Sequence, residues 1–255
     1  MYQQAIVRQP SPSLIDGITS VNFGKPDYNK ALLQHRQYIE ALRSCGVEVT
    51  VLPPDDSFPD SCFIEDPTLL TESLAILTRP GVSSRLGEVA LNKAAVQSFY
   101  GDKIKEIHAP GTVEGGDVLR VDNHFYIGLS ARTNHEGAKQ LIKILDQAGY
   151  SASVVTLKHV LHLKTGVSYL DNGDLLVSGE FLHHPAFQHL KRHVIDEQEN
   201  YAANCIFVNG TVLLPQGFPK TRRLIEQHLG YPVLEVDTGE FRKVDGGLSC
   251  LSLRF

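Results

Sequence analysis

The amino-acid sequence predicts a single α/β domain over residues 1–255, built from five strand–loop–helix units arranged around an axis. Three observations support this fold class. The composition, with 42% hydrophobic and 21% charged residues, is that of an ordinary globular protein. The same order of helix, strand, loop and hairpin recurs five times along the chain. Side chains that can carry chemistry recur at nearly the same spacing as these units.

Composition and charge argue against several classes of protein. No segment approaches the roughly 18 uninterrupted apolar residues of a membrane helix, and the start of the chain shows no secretory signal. The net charge is −5, from 24 basic and 29 acidic residues, so a nucleic-acid partner is not expected. The four cysteines lack the CxxC spacing of zinc ribbons, which favours free thiols in a reducing compartment, the cytoplasm.

The first unit begins with a helix over 27–45, where apolar side chains recur on one helical stripe. Gly46 follows at the position where a glycine commonly ends a helix. The alternating segment 47–54 then predicts a strand. After the loop SFPDSCFIEDP, two strands at roughly 68–71 and 74–79 are expected to form a hairpin.

The other four units repeat this order. Helices are expected near 85–100, 134–148, 185–192 and 219–229. Strands are expected after them, at 103–110, 151–157, 193–196 and 231–237. Tight hairpin turns are indicated by Asp122-Asn123, by Asp171 to Asp174 and by Asn209-Gly210. The fifth unit ends with the strand LSLRF and lacks one strand, which the segment 5–10 can supply, so the two ends of the chain are expected to come together.

One position is shared by all five units, at the start of the hairpin strand. Its occupants are separated by 48, 48, 42 and 46 residues, and they are Asp66, Glu114, His162, Asn204 and Cys250. Equivalent positions of a ring of repeats face the same centre. Two carboxylates, an imidazole, an amide and a thiol are therefore expected to converge there.

A cysteine, a histidine and a glutamate together make a nucleophile, a general acid/base and a charge partner. Cys250 departs from the usual role of a small core residue because it shares the repeat position with His162 and Glu114. For Asp117 we expect a structural role, as an acceptor for backbone N–H groups. The sequence holds no HExxH motif, and the His183-His184 pair is expected to be solvated, so no metal site is predicted.

Acidic and basic residues near these loops indicate the type of ligand. Several carboxylates at one centre repel each other unless a cation lies among them. A guanidinium suits them because it is planar, always charged and forms forked hydrogen bonds with carboxylates. Arg85 and Arg132 begin the second and third predicted helices and could hold a carboxylate. The sequence therefore favours an arginine-like amino acid as ligand.

Seven segments, in chain order, closely resemble the dimethylarginine dimethylaminohydrolase family: SVNFGKPDY, PDSCFIEDP, AILTRPG, GTVEGGDVL, FYIGLSARTN, VLHLKTG and GLSC. The resemblance extends from Ala5 to the end of the chain. It implies the fold of the pentein, or amidinotransferase-like, superfamily, a five-bladed pseudosymmetric α/β-propeller. EGGD and GLSxRT are shared with arginine deiminases, whereas LHLKTG and PDSCFIEDP point more narrowly to the dimethylarginine enzymes.

The resemblance implies that Cys250 is the nucleophile, that His162 is the general acid/base and that Glu114 binds and orients the guanidinium. The implied substrate-binding residues are Ile18, through its backbone, Asp60, Glu65, Asp66, Arg85, Arg132 and Ser249. Within this set the carboxylates would hold the guanidinium, and the two arginines would clamp the substrate carboxylate. Ile18 stands where a leucine is usual in this family, a change that a backbone contact tolerates.

The implied reaction converts Nω-methylated arginine to citrulline and dimethylamine or methylamine through a covalent Cys-thiouronium intermediate, with no metal or organic cofactor. The only partners expected are the small-molecule substrate and a second copy of the chain in a homodimer. An arginine or agmatine deiminase with the same triad is the nearest alternative. However, arginine deiminases are longer, and agmatine lacks the carboxylate that the two arginines would bind. A pentein fold used only for binding would have no reason to keep the triad.

Overall fold

The structure is a computed structural model that describes all 255 residues of the chain. Fifteen strands form five separate sheets of three strands each. In every sheet the central strand pairs antiparallel with one neighbour and parallel with the other. The fivefold repeat that the sequence predicts is therefore confirmed in the sheet topology.

The strands follow the predicted order, although most of them are shorter than predicted. They are β1 (Gln4–Arg8), β2 (Glu48–Leu52), β3 (Thr68–Leu70), β4 (Ala75–Leu77), β5 (Ile104–Glu106), β6 (Val118–Val121), β7 (His124–Leu129), β8 (Ser151–Thr156), β9 (Val167–Asp171), β10 (Asp174–Val177), β11 (Lys191–Val194), β12 (Ile206–Val208), β13 (Thr211–Pro215), β14 (Val233–Val236) and β15 (Leu253–Arg254). The three predicted hairpin turns lie between β6 and β7, β9 and β10, and β12 and β13.

The chain divides into two compact units, one formed by Met1–Ile64 with Ile195–Phe255 and the other by Glu65–Val194. The first unit contains the sheets β15-β1-β2 and β12-β13-β14. The second contains the sheets β3-β4-β5, β6-β7-β8 and β11-β10-β9. The single domain over residues 1–255 stays a prediction.

The predicted pairing of the two chain ends is found in the first unit. Strand β1 pairs with β15 antiparallel, with Ala5 opposite Arg254 and Ile6 opposite Leu253. On its other side β1 pairs with β2 in parallel. The N-terminal strand therefore supplies the strand that the fifth repeat lacks.

Three of the long helices match their predicted positions. The six α-helices are α1 (Tyr28–Ser44), α2 (Glu88–Tyr100), α3 (His135–Gln147), α4 (Leu163–Gly166), α5 (Pro219–Arg223) and α6 (Gly239–Arg242). A π-helical turn over Leu224–Leu229 continues α5. Helix α2 begins later than predicted, because Ser83–Arg85 form a separate 3-10 turn. None of the helices is both long and apolar enough to cross a membrane.

The helix predicted near 185–192 is wrong. Within that range Pro185–Phe187 form a 3-10 turn, and β11 begins at Lys191. Phe181 and Phe187 are both fully buried and pack together, with ring centroids 6.2 Å apart. Because Lys191 already pairs with Asp174 of β10, too few residues remain after Pro185 for a helix of the predicted length.

Each unit has its own buried apolar core. In the first unit α1 packs through residues such as Tyr38 and Leu42 against strand residues such as Val7 and Leu213. The second unit has two clusters, one of which joins α3 to β6 and β7, while the other surrounds Phe181 and Phe187. These cores fix the hairpin strands, and with them the residues that precede each hairpin.

Candidate active site

Three of the five residues at the repeat position lie in the second unit. Asp66 precedes β3, Glu114 precedes β6 and His162 precedes β9. All three side chains are buried, and one nitrogen or oxygen atom from each lies within 4.8 Å of the others. The repeat spacing therefore brings two carboxylates and an imidazole together inside this unit, as the sequence predicts.

Glu114 and His162 form the shortest contact of this cluster, with Glu114 Oε2 lying 2.7 Å from His162 Nε2. The second oxygen, Glu114 Oε1, accepts a hydrogen bond of 3.0 Å from the backbone N–H of Gly81. Arg132 Nη1 lies 3.4 Å from the same oxygen. The Glu114 carboxylate is thus fixed, with one oxygen committed to the imidazole.

The EGGD motif allows the histidine to lie close to the backbone. A Cβ atom on Gly116 would come within 2.7 Å of His162 Nδ1, closer than non-bonded atoms tolerate. The backbone N–H of Gly116 also donates to Asp66 Oδ1 at 3.0 Å. Glycine at this position therefore lets Asp66 and the imidazole pack on the same stretch of backbone.

The carboxylates around His162 keep its imidazole protonated. Burial alone would lower the pKa of His162, but the hydrogen bond with Glu114 and the negative charges of Asp66, Asp117 and Glu114 outweigh it and raise this pKa from 6.5 to about 9. At neutral pH His162 is therefore an imidazolium surrounded by carboxylates. Such a group can donate a proton to a departing amine.

Asp117 has the structural role that the sequence predicts. Its Oδ1 accepts from the backbone N–H of Leu163, and its Oδ2 accepts from the hydroxyls of Ser130 and Thr133. Burial raises the pKa of Asp117, although these bonds and His162 oppose that effect. Because Leu163 follows His162 directly, Asp117 anchors the segment that carries the imidazole.

Arg85 is buried between two carboxylates. Its Nη1 lies 2.7 Å from Asp66 Oδ2, while its Nε and Nη2 form a forked contact with Glu88. Burial alone would raise the pKa of Asp66, but the charges of Arg85 and His162 outweigh it and keep this pKa low. Sequence reasoning missed Glu88; its signal was the spacing of three residues from Arg85. The carboxylate clamp stays a prediction.

Glu65 lies in a second ion pair of this unit. Lys164 Nζ contacts Glu65 Oε1, and both side chains are largely buried. Lys164 was not among the predicted site residues, although it lies two positions after His162 in LHLKTG. The ion pair therefore ties the segment before Asp66 to the segment after His162.

Cys250 lies in the first unit, on the 3-10 turn Ser249–Leu251; it forms no disulfide and is partly exposed. Ser249 Oγ lies 3.9 Å from Cys250 Sγ. Ser249 and Asn204 exchange two hydrogen bonds, Asn204 Nδ2 to Ser249 Oγ at 3.1 Å and Ser249 N to Asn204 Oδ1 at 3.0 Å. Asn204 and Cys250, the other two residues of the repeat position, are therefore linked through Ser249.

Ile18 and Asp60 are also joined in the first unit. The backbone N–H of Ile18 donates to Asp60 Oδ1 at 3.0 Å, and the Asp60 side chain is buried. Two residues further, the N–H of Ser20 donates to Asp245 Oδ2 at 2.6 Å. Asp60 thus holds the backbone of the loop DGITS, residues 16–20, in place.

Comparisons with known proteins show the family of this chain. The family model for eukaryotic N,N dimethylarginine dimethylhydrolase matches residues 24–182. The N(G),N(G)-dimethylarginine dimethylaminohydrolase of Pseudomonas aeruginosa is 56% identical over 255 residues, which cover all of both chains. The chain belongs to the dimethylarginine dimethylaminohydrolase family. The enzyme of that name from Streptomyces coelicolor is 35% identical over 99% of this chain and 96% of its own.

Two solved structures have the same fold. The Pseudomonas aeruginosa enzyme, as a cysteine-to-serine mutant complexed with citrulline, matches with a TM-score of 0.98 over the whole of both chains. The N-terminal domain of ArgZ, covalently bound to a reaction intermediate, matches with a TM-score of 0.86 at 22% identity, over 98% of this chain and 97% of its own. The second match concerns the fold alone. The family resemblance and the pentein fold class predicted from the sequence are confirmed.

Proposed function

We propose that this chain hydrolyses Nω-methylated arginine, both asymmetric dimethylarginine and monomethylarginine, to citrulline and dimethylamine or methylamine. The observation that carries the proposal is the buried cluster of Asp66, Glu114 and His162. It occurs in a chain that is 56% identical, over its full length, to an enzyme named for this reaction.

We propose that carboxylates bind the substrate guanidinium, with Glu114 and Asp66 closest to it and Asp60 and Glu65 assisting. Their burial supports this role, because a buried carboxylate gains most from a planar cation that donates several hydrogen bonds. Glu114 and Asp66 are given the main role because they lie in the buried cluster with His162, whereas Asp60 accepts from the Ile18 backbone and Glu65 pairs with Lys164.

The carboxylate of the substrate is proposed to bind Arg85 and Arg132, with the Ile18 backbone and Ser249 completing the pocket. Support is stronger for Arg132, whose contact with Glu114 is long at 3.4 Å. The guanidinium of Arg85 already pairs with Asp66 and Glu88. Arg132 is therefore expected to contribute more to substrate affinity.

In the proposed reaction the Cys250 thiolate adds to the guanidinium carbon. His162 donates its proton to the methylated nitrogen, the carbon–nitrogen bond breaks, and the amine leaves a thiouronium on Cys250. His162 then removes a proton from water as the oxygen adds to the same carbon. The carbon–sulfur bond breaks while the new hydroxyl releases its proton to solvent, giving citrulline, the thiolate and a reprotonated His162. The raised pKa of His162 supports its role as the proton donor of the first step. These steps use neither a metal nor an organic cofactor.

We further propose that residues 1–255 act as one catalytic domain, and that the protein works as a homodimer in the cytoplasm. Both units carry predicted site residues, which supports the single domain, and four cysteines without a disulfide suit a reducing compartment. The net charge of −5 gives no support to a nucleic-acid partner. Light scattering of the purified chain tests the dimer.

A citrulline assay over four substrates tests the proposed reaction. Asymmetric dimethylarginine and monomethylarginine are expected to yield citrulline, with little turnover of arginine and none of agmatine. Efficient turnover of arginine or agmatine would instead identify a deiminase. A chain that turns over none of the four and whose Cys250 resists alkylation by an amidine would be a binding protein.

A further inference from the structure

The segment that carries His162 leaves its sheet five residues before the histidine. Leu157 makes the last strand-like hydrogen bond, from its N–H to the carbonyl of Leu129. The three following N–H groups, of Lys158, His159 and Val160, all donate to the carboxylate of Glu180. The three bonds measure 2.9, 2.9 and 3.1 Å, so one side chain replaces the missing sheet partner.

Glu180 sits in a segment that also contacts the chain on the far side of His162. The N–H of Ser178 donates to the carbonyl of Gly166 at 2.9 Å. The ring of Phe181 packs directly on Gly166: a Cβ atom on Gly166 would lie 2.7 Å from the ring carbons. Residues 178–181 therefore fix the chain both before His162 and at the end of α4.

The charge of Glu180 suits this arrangement. Partial burial would raise the pKa of Glu180, but the hydrogen bonds from His159, Val160 and Lys158 outweigh it and lower this pKa. At neutral pH the group is a carboxylate, which only accepts hydrogen bonds and matches three donors. Hydrogen bonds to a charged acceptor are also stronger than those to a neutral one.

We infer that Glu180 is a positioning residue, which holds residues 158–160 so that His162 keeps its place beside Glu114. The inference rests on the proposed role of His162 as general acid/base. Glu180 contacts neither His162 nor the predicted substrate-binding residues through its carboxylate, so its effect passes through the backbone.

Small displacements of His162 matter because its contact with Glu114, at 2.7 Å, depends on the position of the ring. Glu114, Asp66 and Asp117 are the charged groups that surround the imidazole within this unit. Asp117 holds the N–H of Leu163 directly after the histidine. Without Glu180 the chain before the histidine would lose three hydrogen bonds, while the chain after it would keep this one. A displacement of about 1 Å in a catalytic group can cost about 10²-fold in rate.

Two variants of Glu180 and one control test the inference. Glu180→Ala removes all three hydrogen bonds and is expected to lower kcat for dimethylarginine by about 10²-fold, with little change in KM. Glu180→Gln keeps an oxygen for His159 and Val160 but turns an NH2 group toward the N–H of Lys158, so part of kcat is expected to return. Glu72→Ala is the control, because it also removes a carboxylate with side-chain partners, Arg120 and Tyr150, on a turn that carries no predicted site residue.

Hydrogen exchange of the amides at 158–160 provides a readout that does not depend on turnover. These amides are expected to exchange more than tenfold faster in Glu180→Ala than in the wild-type protein, with no change in Glu72→Ala. Unchanged exchange, a kcat within twofold of wild type, or an equal loss of kcat in the control would overturn the inference. A wild-type protein without activity would refute the proposed function instead, and the exchange rates would still decide whether Glu180 holds the segment.

Discussion

Replacing Glu114 by glutamine tests the electrostatic basis of the site. The rise in the pKa of His162 from 6.5 to about 9 corresponds to roughly 3 kcal/mol in favour of the imidazolium. Glu114 supplies both the hydrogen bond at 2.7 Å and one of the three opposing charges. Glu114→Gln removes the charge and weakens the bond, while burial continues to disfavour the cation. The pKa of His162 is expected to fall by more than one unit.

The same change alters the pH dependence of stability. Because the pKa of His162 is raised on folding, the stabilisation is fully present below pH 6.5 and is lost as the pH rises toward about 9. In Glu114→Gln this loss is still expected to begin near pH 6.5, which the unfolded state sets, but to be smaller and to end at lower pH. Histidine titration by NMR gives the pKa directly, and urea unfolding at several pH values gives the stability.

A matched control separates this effect from a change in net charge. Glu106→Gln removes the same charge from a surface pair with Lys93, outside the site. It is expected to leave the pKa of His162 unchanged. A His162 pKa that stays near 9 in Glu114→Gln, or that falls equally in Glu106→Gln, would refute the reasoning.

Three further predictions concern single side chains. Cys250→Ser is expected to abolish citrulline release from dimethylarginine, because a hydroxyl is a much weaker nucleophile than a thiolate; retained turnover would contradict the assignment. Arg85→Ala removes the guanidinium that lies between two buried carboxylates. It is expected to lower the free energy of unfolding, measured with urea, by about 3–5 kcal/mol. Arg222→Ala, at an exposed ion pair, is the control and is expected to lower this free energy by less than about 1 kcal/mol. Equal losses in the two variants would show that burial of the ion pair is not the cause. Gly116→Ala is expected to lower the free energy of unfolding by about 1–3 kcal/mol through overpacking, and to lower kcat by displacing His162. Unchanged kinetics would contradict the close approach of the His162 ring to the backbone at position 116.

The repeat and its shared position were predictable from the sequence because they depend on periodicity and spacing. Hydrophobic stripes, strands and hairpin turns are local signals, and three of the hairpin turns fall where the sequence indicates them. The fourth helix was predicted but does not form, because the burial of Phe187 and the pairing of Lys191–Val194 with β10 override a weak local preference for helix.

The interaction partners of the site residues could not be predicted from the sequence either. Lys164 pairs with Glu65 from 99 positions away, and Glu180 binds N–H groups about 20 positions before it. No periodic pattern records such contacts, because they arise only when separate repeats pack together. Arg85 shows the same limit: its position at a helix start was visible, but its two carboxylate partners were not.

The pairing of β1 with β15 has a consequence for the order in which the chain folds. Four sheets use strands that follow one another along the chain, so each can form from a single stretch of sequence. The sheet β15-β1-β2 joins Ala5 to Arg254 and must close a loop of nearly the whole chain, which is the slowest kind of contact to form. Cys250 lies three residues before β15, so the turn that carries the thiol is expected to be among the last parts of the protein to become ordered.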